Sequence, residues 1–289
     1  MKSFFSTFLF PKWRRMPVSV RCAVGVLCLL LAAALLADLL TQHTPEGTNL
    51  MARLKPPFPL PGSSFSHLLG TDELGRDLLS RVLHGMRISF LIACAGTIAG
   101  MVLGVFLGFL AAQRRGWVDD VVLMLIDFNA SLPFIIIALA ILAFFGSGMT
   151  IIISIMAIYG WDRYARLSRN LARAALTEGY ASALQALGAG APRIYLRHIL
   201  PNIAGVLIVN MTLNFPGTIL LETSLSFLGV GVQPPMTSLG MLLGFGRDYL
   251  TTAWWIAVIP GTIIVVATLS ISVLGDFVQN QLDGVIQRS

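Results

Sequence analysis

Long apolar runs alternate with polar breaks along the whole chain. Cys22 to Leu40 is apolar except for Asp38. Ile88–Ala112, Val118–Phe145, Met149–Tyr164, Ile203–Leu228 and Ala257–Leu274 follow. A helix needs about 20 apolar residues to cross a bilayer, so the pattern predicts an all-α membrane protein of six spans. The breaks differ in kind. Residues 41–87 are polar and hold Lys55-Pro56-Pro57-Phe58-Pro59-Leu60-Pro61-Gly62, which cannot be regular helix. Within this break, Asp77–Met86 reads as a short amphipathic helix with Leu78, Leu79, Val82 and Leu83 on one side. Arg114-Arg115 and Gly146-Ser147-Gly148 mark tight turns, and a second polar segment, Gly229–Thr252, carries a short helix near Leu239–Phe245. Trp254 and Trp255 stand where an aromatic belt belongs.

The longest break in the C-terminal half is Thr177–Asn202. Ala181, Leu184, Leu187 and Gly188 keep a helical period, Gly188-Ala189-Gly190-Ala191 ends it, and Pro192 suits the first turn of a second helix. That second helix presents Ile194, Leu196, Ile199 and Leu200 as apolar surface and Arg193, Arg197 and His198 as charge. Two readings stand side by side: a knob that seats in a partner's cleft, or a surface helix in the lipid interface.

Composition agrees with the spans: 56% of the 289 residues are hydrophobic and only 12% charged, against about 25% charged in soluble domains. The net charge of +6 is not gathered into a nucleic-acid-binding face. Lys2, Lys12, Arg14, Arg15, Arg21, Arg114, Arg115, the six arginines from Arg163 to Arg197, and Arg288 fall on one side of the predicted bilayer. Arg53, Lys55, Arg76, Arg81, Arg87 and Arg247 fall on the other. The bias places both termini in the cytoplasm. The first run exceeds the roughly 7–15 residues of a signal-peptide core and reads as a retained span. The resulting division is a cytoplasmic segment 1–21, a first span 22–42, an extracytoplasmic loop 43–87, a five-helix core 88–277 with a cytoplasmic loop at 168–202, and a cytoplasmic tail 278–289.

Candidate chemistry is sparse. Cys22, Cys28 and Cys94 lie in apolar runs without disulfide or zinc spacing. His43, His67, His84 and His198 are dispersed, and no phosphate loop or nucleophile elbow is present. No catalytic residue, metal site or cofactor is therefore assigned. The polar residues inside spans are the next candidates: Asp127, Asn210, Asn214 and Glu222. Charges there are costly against lipid, so they line a path or gate, or they bond a neighbouring helix. Gly96, Gly100, Gly104 and Gly108 place one glycine per turn on a single face, which favours close helix packing.

Leu187-Gly188-Ala189-Gly190-Ala191-Pro192-Arg193-Ile194-Tyr195-Leu196-Arg197-His198-Ile199-Leu200-Pro201-Asn202 is similar to the E-A-A loop of permease subunits of ATP-binding-cassette importers. Gly188 and Leu200-Pro201 match its pattern; Ser182 stands where the family has Glu, followed by Ala183 and Leu184, and Glu178 lies four residues earlier. His67-Leu68-Leu69-Gly70-Thr71-Asp72-Glu73-Leu74-Gly75-Arg76-Asp77-Leu78-Leu79-Ser80-Arg81 resembles a signature of the dipeptide/oligopeptide/nickel C-type permeases. Glu222–Gly231, Gln233-Pro234-Pro235, Gly275-Asp276 and Leu282-Asp283 resemble the same family. The resemblance implies a type I importer fold in a bacterial cytoplasmic (inner) membrane. It implies a second, B-type permease, two cytoplasmic ATPase subunits that carry the ATP and Mg, and an extracytoplasmic substrate-binding protein. Glu178, Ser182, Ala183, Leu184, Leu187, Gly188, Ala189, Arg193, Arg197, His198 and Pro201 would then form the ATPase-coupling loop. Asp72, Arg76, Asp77, Arg81 and Arg247 would lie near the binding protein. The expected cargo is di- or oligopeptide, with nickel or a metal chelate as the alternative within the family. A stand-alone secondary carrier and a non-transporting scaffold are the alternatives of other classes.

Overall fold

The computed structural model describes residues 16–177, 184 and 188–286. Among these the architecture is all-helical: α1 Val18–Leu35, α2 Ala37–Leu40, α3 Leu78–Gln113, α4 Trp117–Ser131, α5 Phe134–Phe145, α6 Met149–Thr177, α7 Ala191–Ile194, α8 Leu200–Phe227, α9 Leu239–Gly246 and α10 Trp255–Ile286. Four helices are long and apolar enough to cross a membrane, starting at Val18, Leu78, Ala191 and Trp255, and the bent pair α4–α5 brings the number to five.

The bundle is built around α3. Its 36 residues reach about 54 Å at 1.5 Å per residue, well beyond a hydrocarbon core of about 30 Å. The Asp77 carboxylate caps its start by accepting from the Ser80 N–H at 2.8 Å. No breaker follows, so the expected short helix 77–86 and the second span are one helix. α3 contributes to each of the four apolar clusters among the described residues, with Leu78, Ile92, Val105 and Ala111 as examples.

The glycine stripe lets α6 lie directly against α3. A Cβ on Gly100 would stand 2.7 Å from the Ala157 carbonyl, and one on Gly104 would collide with that of Trp161. Gly96 and Gly108 meet Met156 and Ser168 in the same way. α6 itself runs on past the expected end at Tyr164, through the arginine row to Thr177.

The third expected span bends where Pro133 interrupts it, and the fifth begins earlier than expected. Val118–Phe145 is not straight: α4 and α5 meet at 96°. Pro133 lacks an N–H and forces the residue before it out of helical geometry, and Leu132 is extended, at φ −103° and ψ 142°. Conversely, the fifth span does not begin at Ile203. Helix runs from Ala191 through a π-helical turn, Tyr195–Ile199, into α8. Pro201 cannot donate to Arg197 and its ring crowds that carbonyl; the wider turn just before it absorbs the mismatch without breaking the helix.

α1 is stapled to α3 from outside its apolar face. Arg87 donates to the Ala34 and Leu35 carbonyls at the end of α1, at 3.1 and 2.9 Å, and to Asp38 at 2.9 Å. His84 joins Asp38 at 3.0 Å.

Candidate functional site

Gly188 sits at the turn before α7 with φ +77°, and the Ala189 N–H donates to the Leu184 carbonyl at 3.0 Å. This is the i→i−5 bond and left-handed residue of a Schellman close, which favours glycine. Pro192 then occupies the first turn of α7. Beneath the turn, Ile194, Tyr195, Ile199, Ile203 and Leu207 are buried on Val105, Phe109, Ala172 and Ala175, with Leu184 and Ala189 packed at the edge. Arg193 and Arg197, four residues apart, are exposed, while His198 and Pro201 are half-buried. The turn thus has a basic outer face, and its apolar side is already occupied by α3 and α6. Glu178, Ser182, Ala183 and Leu187 lie outside the described residues.

The arginine row of α6 is tied to α4. Asp119 takes Arg169 in a two-point grip, with Nη2 to Oδ2 at 2.7 Å, and also accepts from Arg173. Asp127, with 72% of its side chain exposed, pairs with Arg166 at 2.9 Å. Arg163 donates instead to the neutral Asn214 amide of α8 and lies over the Tyr159 ring. Asn214 is buried; Asn210, one turn away, is half-buried. Asp119 was not singled out from sequence, and neither its pairing with Arg169 nor that of Arg163 with Asn214 was expected, since nothing local links positions about 50 residues apart.

Glu222 is 1% exposed. It accepts from Ser226 at 2.8 Å and from Ser89 of α3 at 3.1 Å. Ser238, the N-cap of α9, reaches Ser226 at 3.3 Å, and Ser89 accepts from the Leu239 N–H at 3.1 Å. A single carboxyl thereby joins α3, α8 and the start of α9. Of the two readings open for Glu222, this geometry is that of a bond between helices.

The loop before α3 is closed by its own charged residues. Asp72 is wholly enclosed and holds its own loop: it accepts from the Leu74 and Arg76 N–H groups at 2.9 Å, from Arg76 Nε at 2.7 Å, and from Arg81. Arg81 is 1% exposed. Asp77 is buried between the Ser80 N–H and His67 Nδ1, at 2.8 and 3.0 Å. Trp255 of α10 donates to the Thr71 carbonyl at 3.1 Å. Asp72, Asp77 and Arg81 are therefore buried within the loop and help to fold it. Arg76 keeps slight exposure beside Asp72 and Glu73; Arg247 is the exposed member, bonded to Asp248 and lying over the Phe227 ring.

Among the described residues no group of His, Cys, Asp and Glu is placed to hold a metal. The arrangement defines a class: a multi-pass helical membrane component with a basic turn outside its bundle and polar cross-links within it. A family model, binding-protein-dependent transport system inner membrane component, matches residues 78–287, and the chain belongs to that family. The chain is 38% identical to the di/tripeptide transport system permease protein DppC of Pseudomonas aeruginosa, over 90% of this chain and 86% of that one. It is 34% identical to the glutathione transport system permease protein GsiD of Pectobacterium atrosepticum, over 94% and 89%, and 31% identical to the dipeptide transport system permease protein DppC of Bacillus subtilis, over 96% and 85%. A chain of the MetNI methionine ABC transporter, solved in inward-facing conformations, superposes with a TM-score of 0.52 at 19% identity, covering 69% of this chain and 95% of that one. That likeness concerns the fold alone.

Proposed function

We propose that this chain forms half of the translocation pathway of an ATP-driven importer for di- or oligopeptides. The carrying observation is near full-length similarity to permeases named for di/tripeptide, dipeptide and glutathione transport, all short peptides. A B-type permease completes the pathway, an extracytoplasmic binding protein delivers the peptide, and two ATPase subunits supply ATP and Mg. This chain hydrolyses nothing.

The turn around Gly188 is the coupling element. Its apolar side is anchored on α3 and α6 while Arg193 and Arg197 face outward, so a push on the turn is passed to the long helices instead of being absorbed locally. The bundle crosses the membrane six times, with α4–α5 as one bent crossing and the apolar first half of α6 as another. Both termini are cytoplasmic, in keeping with the charge bias. The loop before α3 and the segment around α9 then face the binding protein, with Arg247 available for contact.

The test is uptake by proteoliposomes holding both permeases and the ATPases, with the binding protein outside. A labelled dipeptide should enter only with ATP inside. Uptake driven by an ion gradient without the ATPases would support a secondary carrier instead, and ATP-dependent uptake of nickel but no peptide would reassign the cargo.

A further inference from the structure

Two cavities meet at Tyr195. The larger, about 450 Å³, is a groove between α3 and the α7–α8 helix, walled by Val102, Phe106, Phe109, Leu196 and Leu207. The second, about 300 Å³, lies beyond the end of α3 and has Gln113, Arg115 and Leu176 in its wall. Gln113, Ala191 and Tyr195 line both. Tyr195 is 6% exposed, and its hydroxyl is buried without a hydrogen-bond partner among the described residues. Its ring is held by Phe109, with centroids 5.1 Å apart. A buried hydroxyl left unpaired is disfavoured, so a polar occupant is called for at this point.

Arginines outnumber acids around the mouth. Arg114, Arg115, Arg193 and Arg197 are exposed at this end of the molecule and enter no ion pair among the described residues. The neighbouring Asp119 is already engaged by Arg169 and Arg173. An apolar slot that opens into a basic, hydroxyl-bearing pocket is complementary to a molecule with a hydrocarbon tail and an anionic head. Both volumes fall in the usual range for small-molecule sites, and basic pockets between membrane helices take anionic headgroups.

We propose that this double cavity binds one anionic phospholipid, its acyl chain in the groove along α3 and its phosphate between the Tyr195 hydroxyl and Arg115. The lipid fills the space between α3 and α7 and braces the Gly188 turn from the membrane side. Bilayer charge thereby becomes an input to the element that moves.

Native mass spectrometry of the purified permease complex, titrated with phosphatidylglycerol or phosphatidylcholine of the same chains, tests this. Phosphatidylglycerol should be retained in preference. Arg115→Gln should weaken its retention about fivefold, the factor one basic residue contributes near an anionic surface, with phosphatidylcholine unchanged. Tyr195→Phe keeps the ring on Phe109 and should lower phosphatidylglycerol retention in the same selective way. A photo-crosslinker at exposed Leu196 should capture lipid. Equal retention of the two lipids, no effect of Arg115→Gln, or capture of the partner permease at Leu196 would each overturn the proposal; the last would make the groove a protein interface. None of these readouts depends on the transported substrate.

Discussion

Arg81 and Asp72 form an ion pair closed off from solvent at both ends, with exposures of 1% and 0%. Removing one member of such a pair leaves a buried charge uncompensated, at about 3–5 kcal/mol. Arg76 remains on the same carboxylate, so the lower end applies. We expect Arg81→Ala to destabilise the purified complex by about 3 kcal/mol, read as a clear drop in thermal unfolding temperature; an unchanged midpoint would mean the loop is not held by this pair. Glu222 works through hydrogen bonds rather than charge pairing. Glu222→Ala strands Ser89 and Ser226 in the bundle and should cost about 1–3 kcal/mol, whereas Glu222→Gln, which keeps an acceptor, should retain most of the stability. Chemical unfolding of the two variants separates them. Equal losses would point to the charge itself, and normal stability with lost uptake would return Glu222 to the pathway.

At the scale of elements, the contact between α3 and α6 depends on missing side chains. A Cβ on Gly104 would meet the Trp161 carbonyl, which is backbone and cannot rotate away. Gly104→Val should therefore push the two helices apart and cost about 1–3 kcal/mol; normal yield and unfolding of the complex would show that the bundle adapts. Gly188 is constrained differently. Among the described residues nothing stands within 4 Å of a Cβ built there, and its φ of +77° is what restricts substitution. Asn tolerates that region and a β-branched residue does not. ATPase subunits should co-purify with Gly188→Asn nearly as with the parent chain and poorly with Gly188→Val. Equal recovery would remove the turn from the coupling interface. The four-residue glycine period and the Gly-Ala-Gly-Ala-Pro turn were both legible in the sequence, since each is a local requirement of backbone geometry. The π-helical turn before Pro201 was not: Pro announces a break, and only the surrounding packing selects a widened turn in its place.

For the whole molecule, the proposed six crossings predict which side each turn occupies. In a background lacking Cys22, Cys28 and Cys94, a cysteine placed at Ser147 should react with an impermeant maleimide from outside intact cells. One placed at Arg115 should react only after the membrane is opened. The reverse pattern would invert the topology, and reaction of both from outside would remove one crossing.

Membrane class, the apolar runs and the position of the Gly188 turn follow from the sequence by itself, because composition, helical period and turn chemistry act over a few residues. The fates of the polar residues did not follow. Ser89 meets Glu222 across 133 positions, and Arg169 meets Asp119 across 50. Such partners are chosen by how the helices pack, not by any local pattern. The same packing enclosed Asp72, Asp77 and Arg81 within their loop and opened beside Tyr195 a cavity between segments that are far apart along the chain.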